Sequence, residues 1–168
     1  TAYGNKYKNG KNALKNRDSS GVRPLHLAAE AGHINVIKFL IETNSDSQVN
    51  KADDDARNVL HWACWRGHHD VVNYLLNETG VRLDTPTRTG WTALHYAAFS
   101  GSIDTVKLLL EFGADDKAMD ESQQNPKAIA ERFGKAAVVK VFREHEKKVE
   151  KGEFKPKKLA NSGKNYDD

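Results

Sequence analysis

His61, Cys64, His68 and His69 are residue types that hold zinc or run thiol chemistry, and they fall close together. On a helix, His61 and Cys64 are three residues apart and share a face. An imidazole beside a cysteine is also the pairing of a thiol nucleophile. The rest of the chain argues against both uses. His61 recurs: His26 stands 35 residues before it and His95 stands 34 after. Each is followed, three positions on, by a small residue: Ala29, Cys64 and Ala98. Cys64 thus takes the place of a packing alanine. A thiol among apolar neighbours has a raised pKa and little reactivity. Asp53-Asp54-Asp55 offers calcium-type oxygens but lacks the glycine and the distal glutamate of a calcium-binding loop. It reads as a solvated turn with an acidic tip able to meet a basic partner. No phosphate-cradling glycine loop and no nucleophile elbow is found in the sequence. The expectation is therefore a non-enzyme, with no cofactor, no metal and no small-molecule substrate.

The elements that position these residues repeat along the chain. Gly32, Gly67 and Gly101 keep the intervals of the histidines, 35 and 34 residues. After each glycine comes a second apolar pattern: Val36-Ile37 with Phe39-Leu40-Ile41, Val71-Val72 with Tyr74-Leu75-Leu76, and Val106 with Leu108-Leu109-Leu110. A degraded fourth unit follows, with Gly134 33 residues after Gly101. There Lys127 and Ala128 replace the leucine and histidine, as suits a terminal repeat with a more polar outer face. Each unit reads as two helices. Pro24 and Pro126 suit a first turn, where the missing N–H costs nothing. Asn58, Thr92 and Asn125 are N-cap candidates. The glycines end the first helix in a left-handed conformation. The second helix carries apolar residues over much of its circumference and is expected to be buried between neighbouring units.

Motif, period and second-helix pattern together resemble the ankyrin repeat family, whose unit reads T-P-L-H-x-A-A with a period of 33. The resemblance covers about residues 18–142. It implies an all-α helical solenoid of four helix-turn-helix repeats (18–52, 53–86, 87–119 and a degenerate cap at 120–142) joined by projecting β-hairpin-like loops. It also implies that His26, His61 and His95 hydrogen-bond the turn rather than a metal. Two inserted residues near Asn44–Ser47 and one near Thr79–Arg82 account for the longer intervals.

The 168 residues carry net charge +3, unevenly spread. Residues 1–17 hold +5, residues 143–168 hold +2 and the repeat body holds −4. An acidic body is a poor phosphate-backbone binder. No apolar run approaches the roughly 18 residues of a membrane span. Nor does a secretory signal stand at the N-terminus, which begins at Thr1 and reads as a piece of a longer protein. The single cysteine excludes an internal disulfide and suits a reducing compartment, cytoplasmic or nuclear. At the ends, residues 1–17 form a basic arm, or a cap in which Tyr3, Tyr7 and Leu14 cover the interior set Leu25, Leu27, Ile34 and Ile37; alternatively the cap belongs to a further repeat upstream. Residues 143–168 extend the last helix, with Val149 one heptad beyond Phe142, and then become a lysine-rich mobile tail.

In the family, residues just before the helix-ending glycine and those in the hairpin tips line a concave surface that faces partners. Carried onto this chain, those positions include Glu30, Trp65, Arg66, Phe99 and Arg132 on the helices, with Asp54, Asp55, Arg57, Arg88 and Trp91 at the tips. Trp65, Trp91 and Phe99 gather with Arg57, Arg66 and Arg132 on one face, and such residues dominate binding hot spots. Trp62 and Tyr96 take the place of Leu27 and are read as core. The function so implied is binding of a partner protein by a monomeric array. Two alternatives stand beside it. One is contact with nucleic acid or an acidic membrane through the basic ends. The other is service as the recognition domain of a larger enzyme.

Overall fold

The computed structural model describes residues 16–44 and 48–160. Eight helices run through them: α1 (Pro24–Glu30), α2 (Ile34–Asn44), α3 (Val59–Arg66), α4 (His69–Glu78), α5 (Ala93–Ser100), α6 (Ile103–Glu111), α7 (Pro126–Arg132) and α8 (Ala136–Glu150). There is no strand among the described residues. The expected cap through Tyr3, Tyr7 and Leu14, residues 45–47 in the stretch where two inserted residues are expected, and the last eight residues of the tail lie outside them.

Local rules place the helix ends. Pro24 and Pro126 open α1 and α7. The Asn58 side chain accepts from the N–H groups of Leu60 and His61, and that of Asn125 from Ala128. Gly67 ends α3 at φ 72°, and a Cβ there would lie 2.9 Å from the Cβ of Ser102 in the next unit. The glycine therefore serves both the turn and the close approach of the next repeat.

The odd-numbered helices stack as an inner row and the even-numbered ones as an outer row. Ala29, Ala63, Ala97 and Ala130 are fully buried, and their small side chains let the inner helices approach closely. Ile37, Val72, Val106, Leu75 and Leu109 fill the space between the rows. Each repeat opens on a turn closed by one backbone bond: Asp18 N–H to Val22 O, Asp53 to Arg57, Thr87 to Trp91 and Asp120 to Gln124, at 2.8–3.0 Å. Further bonds tie turn to turn, from the N–H groups of Asp54, Arg88 and Glu121 to the carbonyls of Ser20, Asp55 and Thr89. At the far end the ammonium of Lys127, in the place of a leucine, reaches Glu146 of α8 at 2.8 Å. This hydrogen bond holds the Glu146 carboxyl below its ordinary range.

Two expectations are corrected. Leu27 is exposed, not interior, because no described residue covers the front of the first repeat. The last helix does run on to Glu150, with Val149 exposed on it. The tail after Gly152 is not free over its first stretch. Residues 153–160 fold back along the ends of the outer helices. Phe154 meets His145 edge-on at 4.6 Å. The Lys157 N–H donates to Glu111 O at 2.7 Å, and its ammonium reaches the Glu111 carboxylate at 2.6 Å. The Ala160 N–H donates to Leu76 O at 3.1 Å, and Leu159 packs on the core. Phe154 and Leu159 are half-buried there despite the lysines around them. Truncation after Lys151 is expected to lower stability by about 2 kcal/mol, the scale of burying one or two such side chains. Urea unfolding reads this out, and an unchanged midpoint would show that the strap contributes nothing.

Candidate functional site

The three recurring histidines tie each first helix to the polypeptide at the following turn. In each, Nδ1 accepts from the backbone N–H three residues earlier: Arg23 to His26 at 3.2 Å, Asn58 to His61 at 2.9 Å and Thr92 to His95 at 3.1 Å. The ring is therefore neutral with its hydrogen on Nε2. Nε2 donates to a backbone carbonyl at the following turn: Lys51 O (2.9 Å) and Thr85 O (2.9 Å), two residues ahead of it, and Gln124 O (3.0 Å), the residue that closes it. Burial lowers the pKa of all three, that of His61 to about 4. Cys64 is fully buried, and burial pushes its thiol up. The metal-like spacing of His61 and Cys64 is thus taken up by packing and by turn bonds.

The sequence places Asp53 in a solvated tip; its side chain is instead fully buried. Oδ1 accepts from the N–H groups of Asp55 and Arg57, and Oδ2 from Arg57 Nε at 2.7 Å and the Trp62 indole at 3.2 Å. Asp120 repeats the arrangement two repeats along. It takes the N–H groups of Ser122 and Gln124 on one oxygen and the Trp91 indole at 3.0 Å on the other. The carboxylates fix both the turns and the indoles.

On this frame the predicted residues fall into two groups. In the first, Trp65 tilts against buried Trp62 at 5.8 Å, and Arg66 lies over Trp65 at 5.3 Å while bonding Glu30 at 2.8 Å. In the second, Trp91 meets Tyr96 at 5.0 Å and Phe99 at 5.8 Å, and Phe99 meets Phe133 edge-on at 4.8 Å. Arg132 lies over Phe133 at 5.5 Å and bonds Gln124. Trp65, Trp91 and Phe99 are half-buried, whereas Phe133, at 44 % exposure, is open. Arg57 is not presented outward. It lies over Trp62 at 4.6 Å with its fork held by Asp53 and Asp55. Trp91 is likewise committed through its indole. Asp54 and Arg88 stand exposed at the tips, Asp54 with Arg17 at 3.4 Å. Tyr96, read as core, is half-buried.

A family description reading "Ankyrin repeats (3 copies)" matches residues 5–87 and 79–153. The chain belongs to the ankyrin repeat family. Ankyrin repeats are generally protein–protein interaction modules. Among similar proteins, the human transient receptor potential cation channel subfamily A member 1 is 38 % identical over 89 residues, covering 52 % of this chain and 8 % of the channel protein. The 26S proteasome non-ATPase regulatory subunit 10 of Dictyostelium discoideum is 40 % identical over 86 residues, 51 % of this chain and 37 % of that subunit. Ankyrin repeat and KH domain-containing protein mask-1 of Caenorhabditis elegans is 30 % identical over 127 residues, 76 % of this chain and 5 % of that protein. The ankyrin array thus spans well under half the length of each of these relatives. None of its helices is long and apolar enough, among the described residues, to cross a membrane.

Proposed function

We propose that the ankyrin array binds a partner protein on its inner face through two aromatic–arginine groups, Trp65 with Arg66 and Phe99–Phe133 with Arg132, flanked by the tips at Asp54 and Arg88. The observation that supports this reading is a set of rings held at fixed angles by their neighbours, with guanidinium groups laid over their outer surfaces. A surface already ordered in the free protein loses little entropy on docking. Arg66 is the most available cation of the first group, with 54 % of its side chain exposed while paired to Glu30. In this reading the module contributes recognition and no chemistry, within a reducing compartment and as a monomer.

The test is capture of partners on the immobilised chain, followed by affinity measurement with the purified partner. Trp65→Ala and Arg66→Ala are each expected to weaken binding by about 2 kcal/mol or more, the scale of a hot spot. The helical circular dichroism should not change. Wild-type affinity in both variants would exclude this face as the site.

A further inference from the structure

The strap over residues 153–160 meets the outer helices at a fixed interval. Phe154 packs on His145 of α8, the Lys157 N–H bonds Glu111 O of α6, and the Ala160 N–H bonds Leu76 O of α4. Three residues therefore carry the strap from one outer helix to the next. An extended chain rises about 3.3 Å per residue, so three residues span about 10 Å, the separation of packed helices. Both carbonyls lie in the last turn of their helices, where no intrahelical donor reaches them. Side chains add a pattern to this backbone register. Gly113, at φ 82°, makes room for Pro156: a Cβ there would lie 2.9 Å from the Pro156 Cβ. The Lys157 ammonium pairs with Glu111 at 2.6 Å and stands 5.8 Å from the centre of the Phe112 ring. Beside Phe154 a cavity of about 150 Å³ opens between Leu110 of α6 and Val141 of α8.

We propose that the ends of α4, α6 and α8 form a second docking site, for an extended segment of a partner protein. That segment carries a bulky apolar residue, a proline two positions on, a lysine three on and a leucine five on. The strap is the tethered occupant of the site, and the partner takes its place. Two observations favour exchange. First, no strap side chain is fully buried, and the Lys157–Glu111 pair is 59 % and 50 % exposed, so the hold is light. Second, Phe154 leaves the cavity beside it open, so a larger ring fits the same place better. The carboxylate of Glu111 selects the lysine by charge.

A fluorescent peptide of residues 152–160 is the probe, read by anisotropy. Its target is the full chain with the strap released by Phe154→Ala, Lys157→Ala and Leu159→Ala. The wild type should bind about tenfold or more weakly than this variant, because its site is occupied. Adding Glu111→Lys to the released chain should cost about tenfold, and a peptide carrying Lys157→Glu should recover the loss. In a chain with the strap otherwise intact, excess peptide should speed maleimide labelling of Leu159→Cys, Cys64 being fully buried. Four results would overturn the proposal. Absence of binding to the released chain would mean that the strap stays in place only through its tether. Equal affinity for the wild type and the released chain would put the peptide elsewhere. Indifference to Glu111→Lys would do the same. A concentration-dependent dimer of the wild type that the released chain does not form would make the occupant a second copy.

Discussion

Asp53→Ala is expected to destabilise the protein by about 3–5 kcal/mol, the cost of breaking a buried ion pair from one side. Asp53 is an acceptor for four donors at once, two backbone N–H groups, the Arg57 Nε and the Trp62 indole. Removing the carboxylate strands all four. The Arg57 side chain, only 21 % exposed, keeps its charge with just Asp55 left to answer it. Against a total stability of roughly 5–15 kcal/mol this is a large fraction. The effect should be concentrated in the second repeat and its contacts with the first. Asp53→Asn keeps the shape and one acceptor oxygen, so it should lose less. The double variant Asp53→Ala with Arg57→Met removes the stranded charge and should recover part of the loss. Urea unfolding of the wild type, the two single variants Asp53→Ala and Arg57→Met, and their double variant forms a double-mutant cycle. A loss below about 1 kcal/mol in Asp53→Ala, an ordinary surface effect, would mean that Asp53 is solvated after all.

That role is not legible in the sequence, and the reason is physical. A run of three aspartates is, by composition, a solvent-facing turn. Only the fold brings Trp62, nine residues later on an inner helix, to the same oxygen as Arg57. The repeat itself is legible because its signals are local and periodic: a glycine that must turn left-handed, an asparagine that must cap, a histidine that recurs beside both. Leu27 shows the limit of such reasoning. Its register matches Trp62 and Tyr96, but burial depends on a preceding repeat, which a pattern within the unit does not guarantee. The strap escapes the sequence for the opposite reason. Its lysines suggest a solvated tail, while Phe154 and Leu159 are half-buried against surfaces that only the stacked outer helices create. At the candidate site, residue type places the aromatic rings and arginines on one face. It does not separate Arg66, which remains available beside Glu30, from Arg57, which two aspartates hold.

Acidification should loosen the array through the histidines that tie each inner helix to the following turn. Each ring must be neutral, because Nδ1 accepts a backbone N–H and a second ring proton would point directly at that donor. For His61 the folded-state pKa is about 4, against 6.5 when unfolded, with burial the main cause. Between these values the unfolded chain binds more protons than the folded one, so stability falls as pH falls. The contribution is fully present above about pH 6.5 and is lost on the way down to about pH 4. For His61 alone the loss is about 2 kcal/mol at pH 5 and about 3 kcal/mol once both states are protonated. Burial lowers the pKa of His26 and His95 too, so both act with the same sign. His145, half-buried beside Phe154, adds in that direction. Urea midpoints measured at about pH 7, 6 and 5 should therefore decline steadily across a range where ordinary carboxylates have barely begun to titrate. His61→Gln should start lower at neutral pH, having lost the bond to Thr85, yet decline less steeply. A wild-type midpoint that holds level across that range would mean that the rings accept protons in place, which the N–H donors facing each Nδ1 do not permit without moving.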